Sequence, residues 1–280
     1  MDKHRVLYEK VMKWARNNQG VRLVEMNGSR VNPCIEPDDF QDFDIVFYVS
    51  DFVAFLKELS WLESLGPVLL KQTSDDQDEP IIGAENAYIT MVQFEDGTRV
   101  DLTVVDIEAF RTFSQRDSLS KIVMDKDGRG EKQAPDESSY YVEPLTEEAF
   151  MRSLNQFYWM VPYVAKGVAR GHVFYALKSF DILRIELERV LDWWIASCHK
   201  VGISVGKGKH RYGELLPPHW LERYSRSYCS ADEAQIRDAL FQAVELFDEV
   251  AKELSKIHRI EVAEDTKDKV LDFVKRHYGL

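Results

Sequence analysis

Apolar residues follow two different rhythms along this chain. In the first half they come in short runs bounded by turn residues: Val21 to Met26, Ile45 to Val49, Val68 to Lys71, Tyr88 to Phe94 and Arg99 to Val105. Runs of that length, rich in β-branched and aromatic residues, predict strands. Glu95-Asp96-Gly97-Thr98 between the last two is a hairpin signal. Two helices are predicted among them. Lys3 to Arg16 carries Val6, Leu7, Val11, Met12 and Trp14 as an apolar stripe and ends at Asn17-Asn18-Gln19-Gly20. A second, capped by Ser50 or Asp51, repeats Phe52, Phe55, Leu56, Leu59 and Leu62 at helical spacing until Gly66-Pro67 stops it.

Residues 110–142 hold helical fragments and the polar stretch DKDGRGEKQAPDESS, read as a surface excursion and inter-domain link. From Leu145 onward the rhythm is helical. Thr146 opens a helix to about Ala169, bent at Pro162; another spans His172 to His199; Pro217-Pro218 begins a third. Ala231 to Ile257 is amphipathic through Leu240, Val244, Phe247, Val250 and Leu254, and a last helix ends near Tyr278. The expectation is an α+β chain with a mixed β-sheet flanked by helices over residues 1–142 and a helical bundle over residues 143–280.

Charge changes this picture more than composition does. The chain has 280 residues and a net charge of −12. Residues 1–140 hold 27 acids against 16 bases, a net of −11, while the remainder is nearly balanced at −1. An acidic first half discourages DNA or RNA as partner, because binding them needs clustered Lys and Arg. It attracts a cationic small molecule instead. Cys34, Cys198 and Cys229 are odd in number and lack metal-type spacing, against both a disulfide framework and zinc. No run approaches the ~20 apolar residues that span a bilayer. The N-terminal stretch lacks the apolar region of a signal peptide, so no membrane and a cytoplasmic location are expected.

The candidate chemistry begins where the first strand ends, at Asn27-Gly28-Ser29-Arg30. Asp42-Phe43-Asp44 opens the second strand, and its two aspartates point to one face because strand side chains alternate. Adjacent carboxylates repel unless a cation sits between them, and hard oxygen donors suit Mg²⁺. A Gly-Ser turn beside such a pair offers N–H groups and a hydroxyl to a phosphate. Either element alone is commonly just a turn or a solvated strand end. Asp101 adds a third carboxylate by interrupting an apolar strand, a costly placement unless it is paired or metal-bound. Asp106 falls on the opposite face and reads as structural. The acidic loop Thr73 to Glu79 reads as a collar for a polycation or as a solvated loop. Asp125 and Asp127 imitate part of a calcium loop, but no acidic residue closes it. Lys166 and Arg170, four apart, share a helix face that would neutralise a triphosphate if it met the cleft. The loop Gly202 to Arg211 offers N–H groups and Lys207 to phosphate without a full Walker pattern.

Gly28-Ser29, Asp42-x-Asp44 and Asp101 together resemble the nucleotidyltransferase superfamily signature. GSR, FQDFDIVFYVSD, WLESLG, FEDGTRVDLT, FYWMVPYVAKGVAR and the GKGK segment extend the likeness to the aminoglycoside 6-adenylyltransferases, the streptomycin-modifying enzymes. The resemblance implies a nucleotidyltransferase-type sheet and Mg-dependent adenylyl transfer from ATP to an aminoglycoside hydroxyl, with pyrophosphate released and antibiotic resistance as the outcome. It implies two Mg²⁺ ions on Asp42 and Asp44, with Asp101 sharing the metal that faces the acceptor and taking the hydroxyl proton, which could equally leave to water. Gly28 and Ser29 would bind terminal phosphate oxygens through N–H and hydroxyl, with Arg30, Lys166 and Lys207 as further nucleotide contacts. The acceptor region departs from the family. Where streptomycin modifiers carry an acidic residue then His, this chain reads Ala176-Leu177-Lys178-Ser179-Phe180-Asp181. Lys178 would repel a guanidinium unless it turns to solvent. Glu85 and Asp181 are the acceptor contacts expected instead, in a monomer or homodimer. Two other readings stand: transfer to another small molecule or a protein hydroxyl, and a non-catalytic nucleotide-binding or toxin–antitoxin-type protein.

Overall fold

Asp2 starts the first helix, α1 (Lys3–Asn17), by accepting the His4 N–H with its carboxylate. The computed structural model describes residues 2–76, 87–115, 117–131, 134–199 and 202–280. They divide into two compact units, residues 1–139 and 140–280.

In the first unit the strands are β1 (Val21–Asn27), β2 (Phe43–Val49), β3 (Val68–Thr73), β4 (Ala87–Phe94), β5 (Arg99–Asp106) and β6 (Ser120–Asp125). They form one sheet in the order β3-β4-β5-β2-β1-β6. β2 and β5 run parallel, and the other described pairings are antiparallel. The helix α2 (Phe52–Leu56) follows β2, and α3 (Phe110–Ser114) follows β5.

Alternation gives the sheet two different faces. Val24, Met26, Ile45, Phe47, Leu102 and Val104 pack under Leu7, Val11, Met12 and Ala15 of α1. Trp14 lies on Trp61 with ring centroids 4.0 Å apart and interplanar angle 10°, and Phe47 stacks against both. Full burial of each such side chain contributes roughly 1.5–3 kcal/mol. The opposite face has a smaller apolar cluster of Leu23, Val46, Tyr48, Val105, Ile107 and Phe110. On that same face, two-residue steps along the strands bring Asn27, Asp44 and Asp101 to the strand ends.

Two expectations need correction. The helix predicted through Leu62 stops at Leu56, and residues Leu59–Leu65 form a 3₁₀ segment. Three residues per turn align Leu59, Leu62 and Leu65, all buried, which an α-helix would spread around its surface. The polar excursion also contains a strand, β6, pairing with β1 at the sheet edge. Its residues are nearly all half-buried, so no clean apolar alternation announced it. Beyond it, Asp125 accepts the N–H groups of Asp127, Gly128 and Gly130, so this acidic turn serves its own backbone.

The second unit comprises α4 (Glu147–Ala169), α5 (Val173–Ser197), α6 (Tyr212–Leu215), α7 (Pro218–Arg226), α8 (Glu233–His258) and α9 (Thr266–Tyr278). Thr146 caps α4 through its hydroxyl, which accepts the Ala149 N–H, and α4 continues through Pro162. Phe157 of α4 stacks on Phe247 of α8 at 3.6 Å between centroids, within a core that includes Leu183, Leu187 and Val244. Among the described residues no helix is long and apolar enough to cross a membrane.

Candidate active site

A row of side chains crosses the sheet on its less covered face. Strand register pairs Ser120 with Asn27, Asn27 with Asp44, Asp44 with Asp101, and Asp101 with Met91. Neighbouring strands are about 4.8 Å apart, so Asp44 and Asp101 stand side by side although they are distant in sequence. The parallel β2–β5 pairing thus brings two of the three predicted carboxylates together. Asp42, immediately before β2, joins them at the same end.

Gly28 shapes this corner. Its φ is +73°, in the left-handed region, and a β-carbon there would meet Asp44 Oδ2 at 2.4 Å. The missing side chain is what gives the Asp44 carboxylate its place. The expectation that the Gly28 N–H would bind phosphate is corrected: it donates to the Leu119 carbonyl at 2.9 Å. Ser29 lies in the 3₁₀ turn Gly28–Val31, and its carbonyl accepts from Asn32 N and Gln41 Nε2, both at 3.3 Å.

Arg30 also differs from expectation. Its guanidinium donates to the carbonyl oxygens of Asp42 (2.9 Å) and Gln41 (2.5 Å), meets His4 Nδ1 at 2.8 Å, and lies 3.8 Å from the centre of the Phe43 ring. Burial lowers its pKa, opposed by surrounding aspartates. With Nε and Nη2 directed to the Asp42 and Gln41 carbonyl oxygens, Arg30 holds the segment that carries Asp42.

Arg99 was not singled out in the sequence, yet it sits two residues before Asp101 and so on the same face. Its Nε and Nη2 donate to Asp101 Oδ1 and Oδ2, each at 2.7 Å, and its Nε lies 3.6 Å from Asp42 Oδ2. The hydrogen bond to Asp101 raises the Arg99 pKa. Asn27 was also missed; its Oδ1 is buried with no hydrogen-bond partner among the described residues. One step along β1, Glu25 is 2% exposed and accepts from Tyr48 Oη (2.6 Å) and Ser114 Oγ (2.5 Å). Burial raises its pKa, and those hydrogen bonds only partly oppose the shift. Glu25 floors a polar cavity of about 410 Å³ with Ser114, Ser118 and Ser120.

The donor set suits a hard divalent cation in kind: aspartate oxygens at one end of adjacent strands, already gathered around a positive group. No cluster of three or more His, Cys, Asp or Glu side chains converges at metal-binding distance among the described residues. The cation that Asp101 and Asp42 share in this structure is the Arg99 guanidinium.

The remaining candidates lie in the second unit or outside the described residues. Lys166 lies over the rings of Tyr163 (4.6 Å) and Tyr175 (5.9 Å). Lys207 is exposed in the short turn Lys207–Lys209. Asp181 forms an ion pair with Arg184 at 2.7 Å, and Lys178 is exposed to solvent. Glu85 lies outside the described residues. Of the acidic loop, Asp75 accepts from Tyr88 Oη and Asp76 from Thr73, so both serve local structure.

The family model for streptomycin adenylyltransferase matches residues 1–277. An aminoglycoside 6-adenylyltransferase from Campylobacter jejuni is 31% identical over 257 residues, covering 91% of this chain and 89% of that protein. One from Staphylococcus aureus is 36% identical over 200 residues (70% and 71%), and one from Bacillus subtilis (strain 168) is 33% identical over 248 residues (87% of each). The crystal structure of an aminoglycoside 6-adenyltransferase from Bacillus subtilis aligns with TM-score 0.46 and 24% identity over 96% of both chains.

Proposed function

The chain belongs to the streptomycin adenylyltransferase family, and on that premise we propose that it transfers the adenylyl group of ATP to a hydroxyl of a cationic aminoglycoside. It is a nucleotidyltransferase, as its relatives at 31–36% identity are named. The observation that carries the reading is the in-register pair Asp44–Asp101, with the Asp44 carboxylate seated over Gly28.

Asp42, Asp44 and Asp101 are the residues that would hold two Mg²⁺ ions, which when bound would neutralise the triphosphate and acidify the acceptor hydroxyl. Ser29 offers a hydroxyl to the phosphates at the mouth of the turn. Lys166 and Lys207 are further candidates for neutralising the triphosphate charge. The acceptor oxygen bonds to the α-phosphorus, the bond from that phosphorus to its bridging oxygen breaks, and pyrophosphate leaves with the electron pair. The hydroxyl proton goes to Asp101 or to water. Both Asp101 oxygens accept from Arg99 in this structure, so a proton passed to Asp101 would need one of those hydrogen bonds to open.

The net charge of −11 in residues 1–140 supports a polycationic acceptor, because it raises the local concentration of cations. Streptomycin is the acceptor we assign within that class, and Asp181 a contact for it. We assign the reaction to the cytoplasm, where ATP is available.

Pyrophosphate release from ATP and Mg²⁺ with a panel of aminoglycosides tests the reading. Release should appear with streptomycin and fall by about a thousandfold or more in Asp44→Asn, a loss on the scale of removing a preorganised charge-stabilising group. Unchanged turnover in that variant, with the fold intact by circular dichroism, would discard the assignment. No release with any acceptor would leave a nucleotide-binding module.

A further inference from the structure

We propose that Arg99 is a positioning residue that competes with the divalent cation for Asp101, so that metal enters this site together with the nucleotide instead of alone. The inference rests on the reading that Asp101 is a metal ligand.

Both Asp101 oxygens are engaged by one guanidinium. Nε meets Oδ1 and Nη2 meets Oδ2, each at 2.7 Å, which is the bidentate fork that makes arginine–carboxylate pairs strong and directional. The pair is not a solvated surface contact: the Asp101 side chain is 14% exposed and that of Arg99 35%. Partial burial reduces screening by salt. The geometry is also built into the strand. Residues two apart on β5 share a face, so the strand itself makes Arg99 and Asp101 neighbours. Its Nη2 lies 3.6 Å from Met91 Sδ on the neighbouring strand β4, where Met91 is the register partner of Asp101. On the other side its Nε lies 3.6 Å from Asp42 Oδ2. The guanidinium therefore bridges two of the three candidate ligands.

A divalent ion on Asp101 and the Arg99 fork draw on the same two oxygens, and the two cations repel each other. Metal alone must break at least one of the short hydrogen bonds and face that repulsion uncompensated. A metal–nucleotide brings anionic phosphate oxygens with it, and guanidinium is a good donor to such oxygens. Donors released from Asp101 then have new acceptors, and the repulsion is offset. Occupancy by metal becomes conditional on nucleotide.

Mn²⁺ binding, followed by its electron paramagnetic resonance signal, tests this without turnover. The comparison is wild type, Arg99→Gln and Arg99→Lys, each with and without an α,β-methylene analogue of ATP. Without nucleotide, Arg99→Gln should bind Mn²⁺ at least about tenfold more tightly than wild type, and Arg99→Lys, which keeps the charge but loses the fork, should fall between them. With the analogue the difference should shrink to about threefold or less. Arg99→Gln within about twofold of wild type in the absence of nucleotide, while the analogue still recruits Mn²⁺ to both, would overturn the role of Arg99 and leave the metal reading standing. A wild type that takes up no Mn²⁺ even with the analogue would overturn both. Should Arg99→Gln fail to fold by thermal denaturation, the ratio between Arg99→Lys and wild type decides.

Discussion

The Asp44 carboxylate lies where a side chain on Gly28 would have to be: an added β-carbon would stand 2.4 Å from its Oδ2 and 3.2 Å from its Cγ. Gly28→Ala should therefore do two separable things. The left-handed backbone costs a non-glycine residue about 1–2 kcal/mol, which lowers the melting temperature. Displacement of the carboxylate should reduce turnover by roughly a hundredfold, the usual result of misplacing a reacting group by about 1 Å. An alanine variant with normal kcat would show that Asp44 has room to move without consequence.

Arg30 predicts a different kinetic signature from a phosphate ligand. It holds the carbonyls of Gln41 and Asp42 and lies on Phe43. Removing it takes away the charge-assisted hydrogen bonds that these carbonyls accept from it, at about 1–3 kcal/mol. Arg30→Ala should lower both stability and kcat while changing the KM for ATP little, because Asp42 loses its support. A KM for ATP that rises with kcat preserved would return Arg30 to the phosphates.

Glu25 gives a stability signal with a definite sign. Its folded-state pKa is raised, chiefly by burial, above the ordinary carboxylate value. The neutral form is thus favoured by folding, and the stability this contributes is complete below the unfolded pKa. It is lost as pH rises through the folded value. Urea denaturation of Glu25→Gln and wild type across pH should show the variant gaining relative stability from about pH 4.5 upward. A difference that does not change with pH, or one that grows as pH falls, would contradict the burial argument.

Trp61 separates packing from hydrogen bonding. It stacks on Trp14 and is 9% exposed, and its Nε1 is buried with no hydrogen-bond partner among the described residues. Trp61→Ala should cost about 3–5 kcal/mol. Trp61→Phe keeps a ring in the stack and removes the unpartnered N–H, so it should cost under about half as much. Equal losses in chemical denaturation would mean that the indole nitrogen has a partner after all.

The sequence was most legible where one local rule decided the outcome. The long helices α4, α5 and α8 were readable because apolar residues recur every three to four positions over many turns, and Thr146 marks a start that the structure keeps. The common face of Asp44 and Asp101 was legible for a similar reason, since position along a strand fixes the face. Failures came where a distant partner decides. Nothing local shows that the Gly28 N–H is taken by Leu119, or that Arg30 turns back to Gln41 and Asp42. The edge strand β6 exists because β1 is there to pair with it, and its half-buried residues lack a pattern of their own. Arg99 is the instructive case. The two-residue step that was applied to Asp42 and Asp44 holds more firmly for Arg99 and Asp101, which both lie on β5, and the arginine was visible by the same logic.

The strand order has a consequence for how the protein is made. β5 stands between two antiparallel pairs, β3–β4 on one side and β1–β2 on the other, and it is synthesised after all four. A nascent chain that ends before residue 99 can form either hairpin but has nothing to join them. Parallel pairing with β2 closes a long loop, the slow kind of event in folding. The strand that carries Asp101 is the keystone of the sheet, so bringing Asp101 beside Asp44 and joining the two antiparallel pairs are one kinetic step.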